Sequence, residues 1–363
     1  MKLVKNGGPV KLILEDGSVF SGKSFGSNCS KAGEVVFNTG MVGYPESMTD
    51  PSYKEQILTL TYPLIGNYGI PKEEIDENNL LKTFESDQIH INGLVISDYS
   101  AQHSHWSAVK SLSEWMEEQG IPGIYGIDTR ALTKKLRDKG TILGKIVQDN
   151  EKIDFYDPDK HNQVAKVSVE KPIEYGEGKT KILLVDCGVK NNIIRSFIKR
   201  NIKVKRVPWN YDFSNENYDG LFIANGPGDP KKAKETIENI RMALEKETPT
   251  FGICMGNQLL SLAAGGDTYK LKFGHRSQNQ PCIEVGTKRC YITSQNHGYA
   301  VNPKKLPKGF EEWFVNANDN TNEGIKHKTK PFFSVQFHPE AMPGPVDTAF
   351  LFDKFIDEIK KGK

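Results

Sequence analysis

The sequence predicts an α/β protein: a mixed α/β N-terminal domain over residues 1–150, then a domain over 180–363 with a mostly parallel central sheet flanked by helices. Three observations carry this. Apolar runs at 181–185, 220–224 and 250–253 are short and unalternating, as in strands buried on both faces. Helical segments fall between strand candidates in the order β-α-β-β-α-β-α, which favours parallel pairing. Between 151 and 179 the chain turns polar, with Pro158, Pro172, Gly176 and Gly178, and reads as an interdomain linker best defined at 170–179.

In the first domain, 10–14, 34–37, 57–62 and 94–96 read as strands. The stretch 107–119 places Val109, Leu112, Trp115 and Met116 at helical spacing, and 129–139 places Leu132 four residues before Leu136. In the second, strands are expected at 181–185, 204–207, 220–224 and 250–253, with helices at 191–199, 233–246 and 257–264. Four further strands follow, at 289–294, 314–316, 324–327 and 332–337. The C-terminal stretch 347–361 carries Leu351, Phe352, Phe355, Ile356 and Ile359 on one helical stripe, which reads as core packing.

Composition narrows the class. A length of 363 residues suits two domains, and 37% apolar with 26% charged residues is ordinary for a folded protein. A formal net charge of +2 leaves no electrostatic footprint for nucleic acid or a membrane surface. The five cysteines have no Cys-x-x-Cys spacing, which argues against a disulfide framework or a zinc site and favours a reducing compartment. No apolar run has the length of a signal peptide or membrane span, so a soluble cytoplasmic protein is expected. His103 and His105 have no third ligand in pattern, so no metal is expected; no phosphate-binding glycine loop is present, so no cofactor is expected on this chain.

The chemistry concentrates at Gly252-Ile253-Cys254-Met255-Gly256, between a strand and a helix. Glycines two positions either side of a nucleophile relieve crowding at a sharp strand-to-helix turn, and the helix N-terminus favours a thiolate. A lone cysteine is more often a core residue; here the flanking glycines favour a nucleophile. Acyl chemistry also needs a base. His338-Pro339-Glu340 follows a strand, and residues two apart in extended chain face one way, so Glu340 would orient the His338 imidazole. Read alone, the same tripeptide is a surface turn. The loop Asn225-Gly226-Pro227-Gly228-Asp229-Pro230 follows another strand. Its Gly228 N–H, paired with that of Met255, would form an oxyanion hole; read alone it is a sharp turn.

These elements, in this order, resemble the class I triad glutamine amidotransferases over roughly residues 180–360. The first half adds Gly33-Glu34-Val35-Val36-Phe37-Asn38-Thr39-Gly40, Thr49-Asp50-Pro51-Ser52-Tyr53, Leu58-Thr59-Leu60-Thr61-Tyr62-Pro63 and Gly126-Ile127-Asp128-Thr129-Arg130. The second half adds Lys272-Phe273-Gly274-His275-Arg276 and Ser294-Gln295-Asn296-His297-Gly298-Tyr299-Ala300. Together they are similar to the small subunits of carbamoyl phosphate synthetases. The resemblance implies Cys254 as nucleophile, His338 as base and acid, and Glu340 as its orienter. It also implies L-glutamine contacts from Ser52, Gly226, Gly228, Met255, Gln258, Asn296, Gly298 and Tyr299. Ser52 and Asn296 also read as turn residues, Gln258 as packing and Tyr299 as a core aromatic. Asn257 stands where many relatives carry histidine, and Tyr299 where phenylalanine is commoner.

The implied activity is the glutaminase half of glutamine-hydrolysing carbamoyl phosphate synthesis. Ammonia released through a cysteine thioester passes to a large subunit, which makes carbamoyl phosphate from bicarbonate and ATP for arginine and pyrimidine biosynthesis. ATP and Mg2+ belong to that subunit. The chain ends soon after its last helix, so the synthetase is expected on a separate chain, forming a heterodimer. Rival readings are an amidotransferase for anthranilate or guanylate synthesis, which the N-terminal domain disfavours, and a non-catalytic scaffold, which the complete Cys254, His338 and Glu340 set disfavours.

Overall fold

A computed structural model describes residues 7–362, which form two compact units that divide between residues 160 and 161. In the first unit seven strands close into a barrel. Pro9–Leu14 pairs antiparallel with both Val19–Gly26 and Ile142–Gln148, and Ile142–Gln148 pairs antiparallel with Lys31–Asn38. Lys31–Asn38, Gln56–Leu60, Gly93–Val95 and Pro122–Tyr125 then run parallel, and Pro122–Tyr125 closes the ring on Val19–Gly26. A closed ring leaves no unpaired edge. Val36, Leu58, Leu94, Phe84 and Trp115 belong to its buried cluster. The helix expected from 107 begins later, at Leu112–Glu118. Ser111 caps it, with its Oγ accepting from Glu114 N–H and the Glu114 carboxylate accepting from Ser111 N–H. Upstream, Ala108–Lys110 is a strand and Val109 is exposed, so Val109 is not part of the apolar helical face.

The second unit holds a ten-stranded sheet. Ile202–Pro208, Thr180–Asp186, Gly220–Ile223, Thr250–Ile253 and Phe332–Val335 lie side by side and parallel. Antiparallel strands extend it from Phe332–Val335 through Asn322–His327, Phe310–Asn316 and Thr268–Glu284 to Cys290–Val301. On the other edge Ile173–Tyr175, inside the stretch read as linker, pairs antiparallel with Ile202–Pro208.

The parallel strands are apolar throughout because both faces are covered. Phe222 and Phe251 join Phe197, Phe352 and Phe355 in one aromatic cluster, with ring centroids 4.9–6.4 Å apart. Leu221 and Ile223, alternating with Phe222, pack with Ile240, Met255, Leu259 and Leu260. Each buried side chain of this size contributes roughly 1.5–3 kcal/mol. The C-terminal helix, Phe350–Lys361, buries the stripe expected of it. Among the described residues, no helix is long and apolar enough to cross a membrane.

Candidate active site

Three neighbouring strands of the second unit end at one place, as the carboxyl ends of parallel strands do. Gly220–Ile223 leads into the Gly226–Gly228 loop, Thr250–Ile253 into Cys254, and Phe332–Val335 into His338. Cys254 precedes the helix Met255–Ala263 with φ 55° and ψ −102°, a conformation unusual for a residue with a side chain. Its N–H donates to Val335 O at 2.8 Å, which holds the turn against the next strand. A Cβ on Gly252 would stand 2.5 Å from Gly256 O, and one on Gly256 2.2 Å from Ile223 O. Both glycines are therefore fixed by backbone contact. Gly228 has φ +81°, which glycine adopts without strain. Met255, first in its helix, has an N–H without an intrahelical acceptor.

Cys254, His338 and Glu340 are brought together, each nearly inaccessible. The Cys254 thiol donates to Asn296 O at 3.7 Å, and His338 N–H donates to Ser294 O at 2.9 Å, so the strand Cys290–Val301 touches both residues. His338 Nδ1 lies 2.6 Å from Glu340 Oε1. His338 Nε2 is buried without a conventional hydrogen-bond partner among the described residues. Burial alone would push the imidazole pKa down; the charge of Glu340 and the nearby Cys254 sulfur outweigh it and raise the pKa to about 10. For Glu340, burial would raise the pKa, but Lys190 and His338 hold it down at about 2. Histidine and glutamate therefore form an ion pair in a dry setting.

Lys190 was not singled out in the sequence. Its Nζ lies 3.1 Å from Glu340 Oε1 and donates to Ala341 O at 2.6 Å, with 4% of its side chain exposed. Asn192 Nδ2 donates to Glu340 O. No spacing signal announces these two, because the chain brings them from the start of the helix Asn191–Ile198, some 150 residues away.

The expected glutamine contacts divide. Gly226, Gly228, Met255, Asn296, Gly298 and Tyr299 lie on the loop, helix start and strand just described. Asn296 and Gly298 stand inside the strand Cys290–Val301, so the strand-end turn is not formed there. Gln258 Nε2 donates to Tyr299 O at 2.8 Å and to Gln336 Oε1 at 3.1 Å, which ties the elbow helix to the strand Cys290–Val301 and to the segment that follows Phe332–Val335. Ser52 belongs to the other unit, in the short turn Pro51–Tyr53, where its N–H donates to Asp50 Oδ1 at 2.9 Å. Asn257 points into the core: its Oδ1 accepts from Ser334 Oγ at 2.8 Å and its Nδ2 donates to Gln336 Oε1 at 3.1 Å.

A second buried ionic group lies under the same strand. His275 Nδ1 is 3.0 Å from Glu323 Oε1, and its Nε2 is 2.9 Å from Asp319 Oδ2. Burial opposes the charged imidazole, but the two carboxylates prevail and raise its pKa from 6.5 to about 9. A raised histidine pKa contributes stability that is complete below 6.5 and lost as pH climbs through about 9. The lowered Glu323 and Asp319 act oppositely, contributing above their ordinary 4.5 and 3.8 and losing that contribution as pH falls. The gap in thermal midpoint between wild type and His275→Gln should therefore be widest near pH 6 and narrow by pH 10, a pH-dependent part on the order of 2–3 kcal/mol. Thermal melts of both proteins across that range check it.

The chain is similar to known proteins over nearly its whole length. The carbamoyl-phosphate synthase small-chain domain matches residues 12–146, and the class-I glutamine amidotransferase family matches residues 183–358. The multifunctional protein CAD of Squalus acanthias is 55% identical over 97% of this chain, which spans 16% of that protein. The mitochondrial carbamoyl-phosphate synthase [ammonia] of Homo sapiens is 53% identical over 97% of the chain, which spans 24% of it. The multifunctional protein pyr-3 of Neurospora crassa is 51% identical over 98%, with 21% of its length spanned. The chain thus corresponds to about a fifth of these relatives. It belongs to the carbamoyl-phosphate synthase small-chain family, and its second half is a class-I glutamine amidotransferase domain.

Proposed function

We propose that the chain hydrolyses L-glutamine and delivers ammonia to a synthetase that makes carbamoyl phosphate. The observation that carries this is the dry Cys254–His338–Glu340–Lys190 line at the end of the parallel sheet, beside a loop and a helix start that offer backbone N–H groups. The Cys254 sulfur attacks the side-chain amide carbon of glutamine. The Gly228 and Met255 N–H groups take the charge that develops on the carbonyl oxygen. His338 gives its Nε2 proton to the leaving nitrogen, so ammonia departs and a glutamyl thioester remains. His338 then takes a proton from water; hydroxide adds to the thioester, and glutamate leaves as the sulfur is restored. Glu340 keeps the imidazole oriented and charged, and Lys190 keeps Glu340 ionised.

Some relatives are named for ammonia and others are multifunctional. The glutamine-using reading for this chain rests on its own nucleophile and base. In this reading ATP with Mg2+ act on the synthetase. Free ammonia is largely protonated at neutral pH, so it travels by a sheltered route across a stable interface with the large subunit. The test is covalent labelling. A diazo-ketone analogue of glutamine should modify Cys254 once per chain, with excess glutamine protecting it, as read by peptide mass spectrometry. Labelling elsewhere, or labelling that glutamine does not slow, sinks the reading.

A further inference from the structure

The strand Cys290–Val301 meets Cys254 at Asn296 O and goes on through His297, almost completely buried, to Gly298 and Tyr299. Successive strand residues face opposite ways, so His297 lies on the reverse of the face that carries Asn296 and Gly298. Its Nδ1 is 2.8 Å from Tyr299 O and its Nε2 3.2 Å from Gln295 Oε1, which ties the ring to its own strand. His275 stands directly opposite on the paired strand, the two rings edge to face with centroids 4.9 Å apart.

Glu323 holds this pair to the catalytic side. Its Oε1 bonds His275 at 3.0 Å and lies 3.7 Å from His297 Nε2. Its backbone carbonyl accepts from Gln336 N–H at 2.9 Å, two residues before His338. One residue thus connects the segment ending in His338 to the segment bearing Asn296, Gly298 and Tyr299. Glu323 is fully buried, and its Oε2 has no hydrogen-bond partner among the described residues. A buried carboxylate tolerates that only while a cation stands beside it. His275 is that cation, fixed in turn by Asp319. The donors of His275, His297 and Glu323 lie within 4.8 Å of one another, close enough in principle for a metal ion. Both His275 nitrogens, however, are directed to carboxylates, and an imidazolium has no lone pair to give a metal.

We propose that Glu323 and His275 are positioning residues that set the affinity for glutamine by holding the 296–299 strand at its distance from Cys254. They touch neither the substrate nor the reacting atoms. The charge line of the chemistry, Glu340 with Lys190, is a separate ion pair from Glu323 with His275. Their loss therefore weakens binding more than turnover. The inference rests on the glutaminase reading above.

The experiment measures glutamate release by wild type, Glu323→Gln, His275→Gln and the double variant, each assembled with the synthetase. Glu323→Gln keeps the shape and removes the charge. KM for glutamine should rise at least about tenfold with kcat within about threefold, the signature of lost binding rather than lost chemistry. The double variant should be no worse than the poorer single one, because the two act as a unit. Glu323→Asp, which restores the charge, should recover part of the KM. Unchanged KM, a fall in kcat alone, or multiplicative single effects overturns the proposal. Should Glu323→Gln fail to melt cooperatively, the KM of His275→Gln decides by the same criterion. A wild type that releases no glutamate refutes the glutaminase reading itself; an active wild type with unaltered variants refutes only the positioning role.

Discussion

Cys254→Ala should lower glutamine-dependent glutamate release about a thousandfold or more, while synthesis supported by added ammonium salt continues. No other cysteine of the second unit can take its place. Cys187 is buried, and that burial, with Asp186 beside it, pushes its thiol well above the ordinary range. Burial does the same to Cys282, aided by the Glu323 charge. Cys290 is exposed, at the outer end of its strand. Alanine keeps the elbow backbone and leaves only a small void, so the thermal midpoint should stay within a few degrees of wild type. The measurement pairs a glutamate assay with carbamoyl phosphate formation from ammonium. Persistent glutamine use by the variant removes Cys254 from the mechanism; loss of the ammonium-supported reaction as well places the damage in assembly rather than in chemistry.

The second unit was legible because its signals are local. The runs at 181–185, 220–224 and 250–253 are apolar at every central position, which only a doubly covered strand requires, and they form adjacent parallel strands. The elbow was legible because its glycines are demanded by backbone carbonyls, that of Gly256 two residues after Cys254 and that of Ile223 on the neighbouring strand. The barrel was not. Val19–Gly26 alternates only partly exposed and exposed positions before Phe25, and its Ser, Gly and Lys residues carry no strand signal. Its pairing is set by Pro9–Leu14 and by Pro122–Tyr125, which lies a hundred residues downstream. Thr268–Glu284 was missed for another reason. Its register shifts twice against Cys290–Val301, so the alternation that marks a strand is broken. The candidate site divides the same way. Cys254, His338 and Glu340 stand in short motifs, whereas Lys190, His275 and Glu323 matter through partners remote in sequence.

Lys190→Met shows how much such a residue can carry. Lys190 sets a fixed positive charge beside Glu340 Oε1; His338 is cationic only while protonated. Without the ammonium, a carboxylate with no exposed side-chain surface keeps one titratable partner, and removing one member of a buried ion pair costs about 3–5 kcal/mol. Methionine matches the aliphatic stem, so packing is largely kept and the loss is electrostatic. The sign on pH follows from the depressed carboxyl. Glu340 contributes stability above its ordinary 4.5 and loses it as pH falls towards about 2; Lys190 is the larger charge that puts it there. In the variant that carboxyl titrates at higher pH. The acid limb of kcat for glutamine hydrolysis should therefore move upward, with kcat at neutral pH down roughly 10- to 100-fold. Denaturant melts and a pH profile of glutamate release measure both effects. An unshifted acid limb would mean that Lys190 braces Ala341 through its hydrogen bond and leaves the ionisation of Glu340 to His338.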